Sequence, residues 1–397
     1  MNVDPPDGIC NDSGEQTQAC PLVVNPIDTN LHHFHSDVEF APLAGVFTKV
    51  KPLRNAIHGK VYLMRCRWHA DGTEDVVVVK KMPNANVDQS RNSEPNESLS
   101  FRLGGGRTSC EDALNEIGVL ARLSAASERC PYILRLLGVF RDDSHTWLTT
   151  EHCAGGELFD LVAQSPPSEE RWTLRIMEQM LRAVNFLHSH NIGHRDISLE
   201  NVLVKSSAAI ANPEVRLMDF GQAVRLHAED PQKTAFRYFL PVGKNYYRPP
   251  EAYVPAWRPV PVCCPANGAD KICAFPGIAG CAVVMLRLPS TAIEGQECTA
   301  QIAGYTVAPM DMFALGVCLF ILTARNPPWK HAILADALFK YIQSKGVDAL
   351  FQAWRKAATP QLIDLISRLL IVDPTMRITL PEVLVHDLFK SGSFLEE

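Results

Sequence analysis

The chain changes its repeat partway along, and that change restricts the fold more than any other feature. Before Gly155, apolar residues fall in short branched and aromatic runs, VYLMRCRW, DVVVVKKM, ILRLLGVF and TWLTTEHC, separated by turn-forming residues. Runs of this kind read as strands. One interruption, EDALNEIGVLARL, sets Ala113, Leu114, Ile117, Leu120 and Ala121 at helical spacing. After Gly155 the helical period dominates: RWTLRIMEQMLRAVNFLHSH is amphipathic, MDMFALGVCLFILTA reads as a buried helix, and QLIDLISRLLIV and LPEVLVHDLF follow. Strands first and helices afterwards predict an α+β protein of two lobes, a small β-rich one over residues 46–153 and a larger helical one over 154–390.

Four stretches fall outside this pattern. Residues 1–45 are polar and aperiodic and read as a flexible tail; residues 391–397 read as a short C-terminal tail. His32, His33 and His35 in the first tail fit either a metal site or a solvated loop. Residues 84–109, with glycines at 104–106, and residues 255–303, rich in proline and carrying five of the twelve cysteines, read as loops inserted into the domain. Loops that long are uncommon in compact domains unless functional or disordered. The second stretch also admits reading as intron sequence translated by mistake.

A net charge of −6 gives no electrostatic case for nucleic acid or an anionic membrane surface. The N-terminus has neither a basic start nor an apolar core, so it does not read as a signal peptide. The longest apolar run, from Val317 to Ala324, is short of the ~20 residues that span a bilayer. An intracellular, cytoplasmic location is therefore expected, with the cysteines mostly reduced thiols. No two cysteines form a C-x-x-C pair, which leaves a zinc site weakly supported.

The chemistry concentrates in four motifs. VVVK ends at Lys80, HRDISLEN runs from His194 to Asn201, MDFG contains Asp219, and GKNYYRPPE ends at Glu251. In this order and spacing they resemble the signature set of eukaryotic protein kinases of the serine/threonine type, over about residues 47–390. The resemblance implies a bilobal kinase-like fold and transfer of the γ-phosphoryl group of ATP, with Mg²⁺, to Ser/Thr hydroxyls of protein substrates. It implies Lys80 on the α- and β-phosphates, Glu116 pairing with Lys80, Asn201 and Asp219 on the metal, and Asp196 on the substrate hydroxyl. Phosphoryl transfer needs these types because it asks for positioning and charge neutralisation more than covalent help. Asp219 offers a hard oxygen suited to Mg²⁺.

The same resemblance assigns supporting parts. Thr150 gates the back of the adenine pocket, Glu151 to Cys153 form the hinge, and Val61, Val78 and Leu203 sandwich the ring. Val78 is larger than the residue usual above adenine. Asp311 anchors the catalytic-loop backbone, and Arg377 pairs with Glu251. Glu157 and Glu200 resemble acids that recognise basic side chains upstream of a target, although Glu157 could equally hold the ribose.

Three departures mark this chain. Aligned on Val61, Arg54 and Ala56 stand where the first two loop glycines belong, and only Gly59 remains; weakened ATP affinity is expected. Gly59 is expected to allow close backbone approach and positive φ. Ser198 stands where such kinases carry lysine, and Lys244 where they carry threonine. The two types look exchanged, so that Lys244 enters the site from the other side; the alternative is a surface lysine in a loop. The usual phosphate-bearing position of the activation segment holds Leu240, with Thr234 and Tyr238 the nearest hydroxyls, so the chain is either constitutively active or switched elsewhere. The rival to catalysis is a pseudokinase that binds nucleotide or acts as a scaffold.

Overall fold

The computed structural model describes residues 34–43, 46–68, 73–92, 101–103, 107–109, 111–164, 169–208, 211–227, 235–255, 259–266, 268 and 271–390. The branched and aromatic runs form strands as their alternation demands. β1 (Ala41–Pro42), β2 (Val46–Ala56), β3 (Gly59–Arg67) and β4 (Asp75–Pro83) are followed by helix α1 (Asn84–Asn92) and a hairpin of β5 (Phe101–Leu103) and β6 (Arg107–Ser109). Helix α2 (Ala113–Ala125) precedes β7 (Leu136–Arg141) and β8 (His145–Glu151). The six-stranded sheet runs β1-β7-β8-β4-β3-β2, antiparallel except for the parallel pair β1 and β7. Asp112 caps α2, its Oδ1 accepting from the Leu114 and Asn115 amides at 2.8 and 3.2 Å. Leu114, Ile117 and Leu120 are buried under the sheet, as their spacing predicts.

After the crossing segment come β9 (Gly156–Glu157), α3 (Leu158–Ala163) and the amphipathic α4 (Glu170–Ser189). Short strands β10 (Ile192–Gly193), β11 (Val202–Val204), β12 (Val215–Leu217) and β13 (Val224–Arg225) flank the HRDISLEN and MDFG segments. Four further strands follow: β14 (Val260–Cys263), β15 (Ile272–Pro276), β16 (Val283–Arg287) and β17 (Glu297–Ile302). The helical lobe closes with α5 (Val307–Ala324), α6 (Ala337–Ala353), α7 (Pro360–Leu369), α8 (Leu380–Leu384) and α9 (Asp387–Lys390). The chain thus has the β-rich first lobe and helical second lobe that the resemblance implies. Its core is centred on α5, where Phe313, Phe320 and Leu322 are fully buried, each such side chain worth about 1.5–3 kcal/mol.

Four expectations need correction. The segment before residue 46 is not all tail: Phe34 is fully buried against α2, and β1 extends the sheet. Residues 1–33, including His32 and His33, and residues 391–397 lie outside the described residues. His35 holds Asp112 Oδ2 at 2.7 Å, so that histidine serves the α2 cap rather than a metal. Residues 84–109 begin with a helix and contain a hairpin rather than one loop; their glycines at 104–106 are not among the described residues. Residues 255–303 fold into a four-stranded antiparallel sheet, order β14-β17-β16-β15, over its own core of Cys264, Val284, Leu286 and Ile302. Finally, α5 is 18 residues long with mean hydropathy 2.0, long and apolar enough to cross a membrane by those measures alone. The helix is 83% buried inside the C-lobe, and that burial accounts for its apolarity.

Candidate active site

The site lies where β3 and β4 of the N-lobe face the loops of β10 to β13. β3 and β4 pair so that Val61 stands opposite Lys80. Lys80 Nζ donates to Glu116 Oε2 on α2 at 2.6 Å, both side chains almost buried. Burial alone would lower the Lys80 ammonium, but Glu116 and Asp219 more than offset it and hold its pKa above the ordinary lysine value.

Across the cleft, Asp311 on α5 anchors the backbone of the HRDISLEN loop. Its Oδ1 accepts from the Arg195 amide and its Oδ2 from the His194 amide, both at 2.9 Å. Arg195 and Asp219 both sit in the left-handed region, φ 65° and 67°. Non-glycine residues there store strain that clusters at functional sites. Asn201 donates through Nδ2 to the Asp196 carbonyl at 2.8 Å and to Asp196 Oδ2 at 2.9 Å. Both amide hydrogens are therefore spent within the loop, which leaves the Asn201 oxygen for a cation.

Lys244 enters from the activation-segment side. Its Nζ donates to Asp196 Oδ2 at 2.9 Å and its backbone amide to Asp196 Oδ1 at 3.1 Å. Ser198 is fully buried, and its hydroxyl has no hydrogen-bond partner among the described residues. The lysine half of the expected exchange thus meets Asp196; the serine hydroxyl does not take up a bond in the threonine's place.

The nucleotide-pocket residues are brought together in part. Val78 stands opposite Thr150 in the β4–β8 ladder, and Leu203 of β11 opposite Glu157 of β9. Glu151 spends its amide on the Arg135 carbonyl at 3.0 Å and turns its carboxylate outward to Lys205 and Arg216. Only its carbonyl is left for adenine; the Cys153 amide makes no hydrogen bond among the described residues. Glu157 does not stand free for ribose: Arg54 Nη1 reaches it across the cleft at 2.8 Å. Gly59 is not at positive φ; a Cβ there would run into the Lys81 carbonyl, so close strand approach requires the glycine.

Sequence reasoning missed two neighbours of Asp219. His58, at the β2–β3 turn, is buried, with its Nε2 at 3.1 Å from the Glu111 carbonyl, and α1 holds the same turn through Asn86 Nδ2 to the His58 carbonyl at 3.1 Å. Burial and nearby Lys80 lower the His58 pKa. Glu111 is pushed up to about 7 by burial and by the Asp219 carboxylate. An acid just ahead of a helix cap is what any helix dipole favours, so the sequence carries no sign that Glu111 faces the cleft.

The donor set suits Mg-ATP: one carboxylate and one amide oxygen for a cation that takes its remaining ligands from phosphates and water, facing an ammonium held rigid by Glu116. Among the described residues no three His, Cys, Asp or Glu side chains gather into a self-sufficient metal cage. A two-lobed fold with this cleft is that of a protein kinase. The chain belongs to the protein kinase family, and residues 58–256 match its protein kinase domain. It is 28% identical over 260 residues to the phosphorylase b kinase gamma catalytic chain, liver/testis isoform, of Homo sapiens, which covers 66% of this chain and 50% of that protein. It is 24% identical over 291 residues to calcium-dependent protein kinase 22 of Oryza sativa subsp. japonica, covering 73% of this chain and 40% of that protein. The chain spans about half the length, or less, of these curated relatives.

Proposed function

We propose that the chain is an active protein serine/threonine kinase that moves the γ-phosphoryl group of Mg-ATP to hydroxyls of protein substrates. The observation that carries this reading is the Lys244 ammonium on the Asp196 carboxylate at 2.9 Å. It returns to the catalytic loop the positive charge that Ser198 lacks.

In this reading Lys80, fixed by Glu116, grips the α- and β-phosphates. Asp219 and Asn201 would hold Mg²⁺, which supplies charge neutralisation on the transferring phosphates. Asp196 receives the substrate hydroxyl and draws its proton as transfer proceeds. Lys244 steadies the charge that develops on the γ-phosphoryl oxygens. A basic residue upstream of the target would have to compete with Arg54 for Glu157. Glu200, the other acid that could select such substrates, interacts with the Tyr247 hydroxyl.

Replacing Lys244 tests the reading. Lys244→Ala is expected to lose on the order of 10²–10³-fold in turnover, the worth of one transition-state donor, while Mg-ATP still raises the melting temperature. Unchanged turnover would sink the exchange. The second reading, a nucleotide-binding scaffold, is favoured by Arg54 bridging the cleft and by His58 packed under the loop turn. Mg-ATP binding by the wild-type chain without transfer to any Ser/Thr substrate decides for it.

A further inference from the structure

The sheet of residues 255–303 does not hang free of the catalytic machinery. Where β17 ends, Ala303, Gly304 and Tyr305 run alongside the activation segment. The Tyr238 amide donates to the Tyr305 carbonyl and the Tyr305 amide to the Tyr238 carbonyl, both at 2.8 Å, a closed antiparallel bridge. Arg237 adds a fork: its Nε donates to the Ala303 carbonyl and its Nη2 to the Gly304 carbonyl at 2.8 Å. The Tyr305 hydroxyl donates to the Leu240 carbonyl at 2.7 Å. Phe239 packs into the core of the inserted sheet itself. Gly304 has φ +60°, and a Cβ there would collide with the Tyr238 carbonyl, so the close approach of the two segments requires glycine.

The bridge continues to the catalytic base. The Arg195 guanidinium lies over the Tyr238 ring, 5.1 Å from its centroid, and its Nε donates to the Gln222 carbonyl at 2.6 Å. Gln222 Oε1 accepts from the Gly243 amide at 3.1 Å, and the next residue, Lys244, binds both oxygens of Asp196. Arg195, the side chain that a phosphate on the segment would otherwise engage, is thus already held in place by the Tyr238 ring and the Gln222 carbonyl. Leu240 stands at the phosphate-bearing position. Of the two nearest hydroxyls, Thr234 lies outside the described residues, and Tyr238 is buried and bonds the Arg225 carbonyl.

We propose that the inserted sheet is a built-in activator: through Arg237, Tyr238 and Tyr305 it clamps the activation segment in register with Asp196, so that phosphoryl transfer needs no phosphate on that segment. The inference rests on the kinase reading for its consequence and on these bonds for the clamp. Arg237 and Tyr305 are positioning residues, acting on Asp196 through Tyr238, Arg195 and Gln222.

The test uses the full-length chain, treated with a broad protein phosphatase and checked by intact mass. Two readouts are followed: transfer from labelled ATP to myelin basic protein, and amide hydrogen exchange at residues 235–243 and 303–305. Phosphatase-treated wild type is expected to keep its turnover, with the Tyr238 and Tyr305 amides protected. Arg237→Ala is expected to lose about 10²-fold in kcat, the cost of a small misplacement of the reacting groups. Its Mg-ATP KM should stay unchanged while those amides exchange rapidly; Arg237→Lys, which can still donate to one carbonyl, should recover part of both losses. Gly304→Val supplies a second, independent disruption with the same two losses. Turnover that vanishes on phosphatase treatment overturns the proposal, as does an Arg237→Ala protein with wild-type kcat and protection. Protection that collapses in Arg237→Ala supports the clamp by itself; absence of transfer from the wild type in every state then overturns the kinase reading.

Discussion

Removing Arg377 should strand a buried charge. Arg377 and Glu251 pair through two bonds, Nη1 to Oε1 at 2.6 Å and Nη2 to Oε2 at 2.9 Å, with neither side chain exposed at all. The remaining donors reach the Ile371, Pro309 and Val372 carbonyls at 2.9, 2.7 and 3.3 Å, and the guanidinium covers the Phe313 ring. Every N–H of the guanidinium is thereby used. Arg377→Met leaves the Glu251 carboxylate dry and unpaired, which costs about 3–5 kcal/mol. Glu251→Met/Arg377→Met removes that charge while stranding the same three carbonyls as the single variant, so the double variant should cost less than Arg377→Met alone. Urea unfolding followed by tryptophan fluorescence measures both, because Trp329 stacks on Phe313 with ring centroids 5.8 Å apart. A loss below about 1 kcal/mol for Arg377→Met, typical of an exposed pair, refutes the reasoning, as does a double variant as costly as the sum of the two single ones.

Glu111, raised from an ordinary 4.5 to about 7, contributes stability that is present below its unfolded pKa and lost as pH rises through about 7. Thermal melts without nucleotide should therefore show Glu111→Gln gaining on the wild type by about 2–3 kcal/mol between pH 5 and pH 8; a pH-independent difference would contradict the shift. If Ser198 and Lys244 exchanged roles, Ser198→Lys/Lys244→Thr should recover turnover that Lys244→Thr alone loses, and a double variant no better than that single change would argue against it. Arg54→Ala removes a half-exposed ion pair, so its effect on unfolding should stay under about 1 kcal/mol. It frees Glu157, so kcat/KM for peptides with an upstream arginine should rise relative to peptides without one; equal changes for both would count against Glu157 as a substrate contact.

The two lobes and the motif residues that meet in the cleft were legible because each is written locally. Alternation gave β3, β4 and β8, helical spacing gave α2 and α4, and the short motifs carried Lys80, Asp196, Asn201 and Asp219 with their neighbours. What escaped was written at a distance. The Arg54–Glu157 pair joins residues 103 apart, and Phe34 finds α2 from a polar stretch. The sheet of residues 255–303 lacked visible alternation because prolines and cysteines break its short strands, yet Cys264 and Leu286 are its core. Glu111 reads as an ordinary acid near a helix start until the fold turns it toward Asp219.

The central claim is that this cleft transfers phosphate. Purified full-length chain, labelled γ-phosphate ATP, Mg²⁺ and a mixed Ser/Thr protein substrate test it directly, with Asp196→Asn alongside. Label should appear on serine and threonine with the wild type; Asp196→Asn should lose it by about 10²–10⁴-fold yet keep its Mg-ATP thermal stabilisation. A wild-type chain that binds Mg-ATP and labels no better than Asp196→Asn would contradict the account.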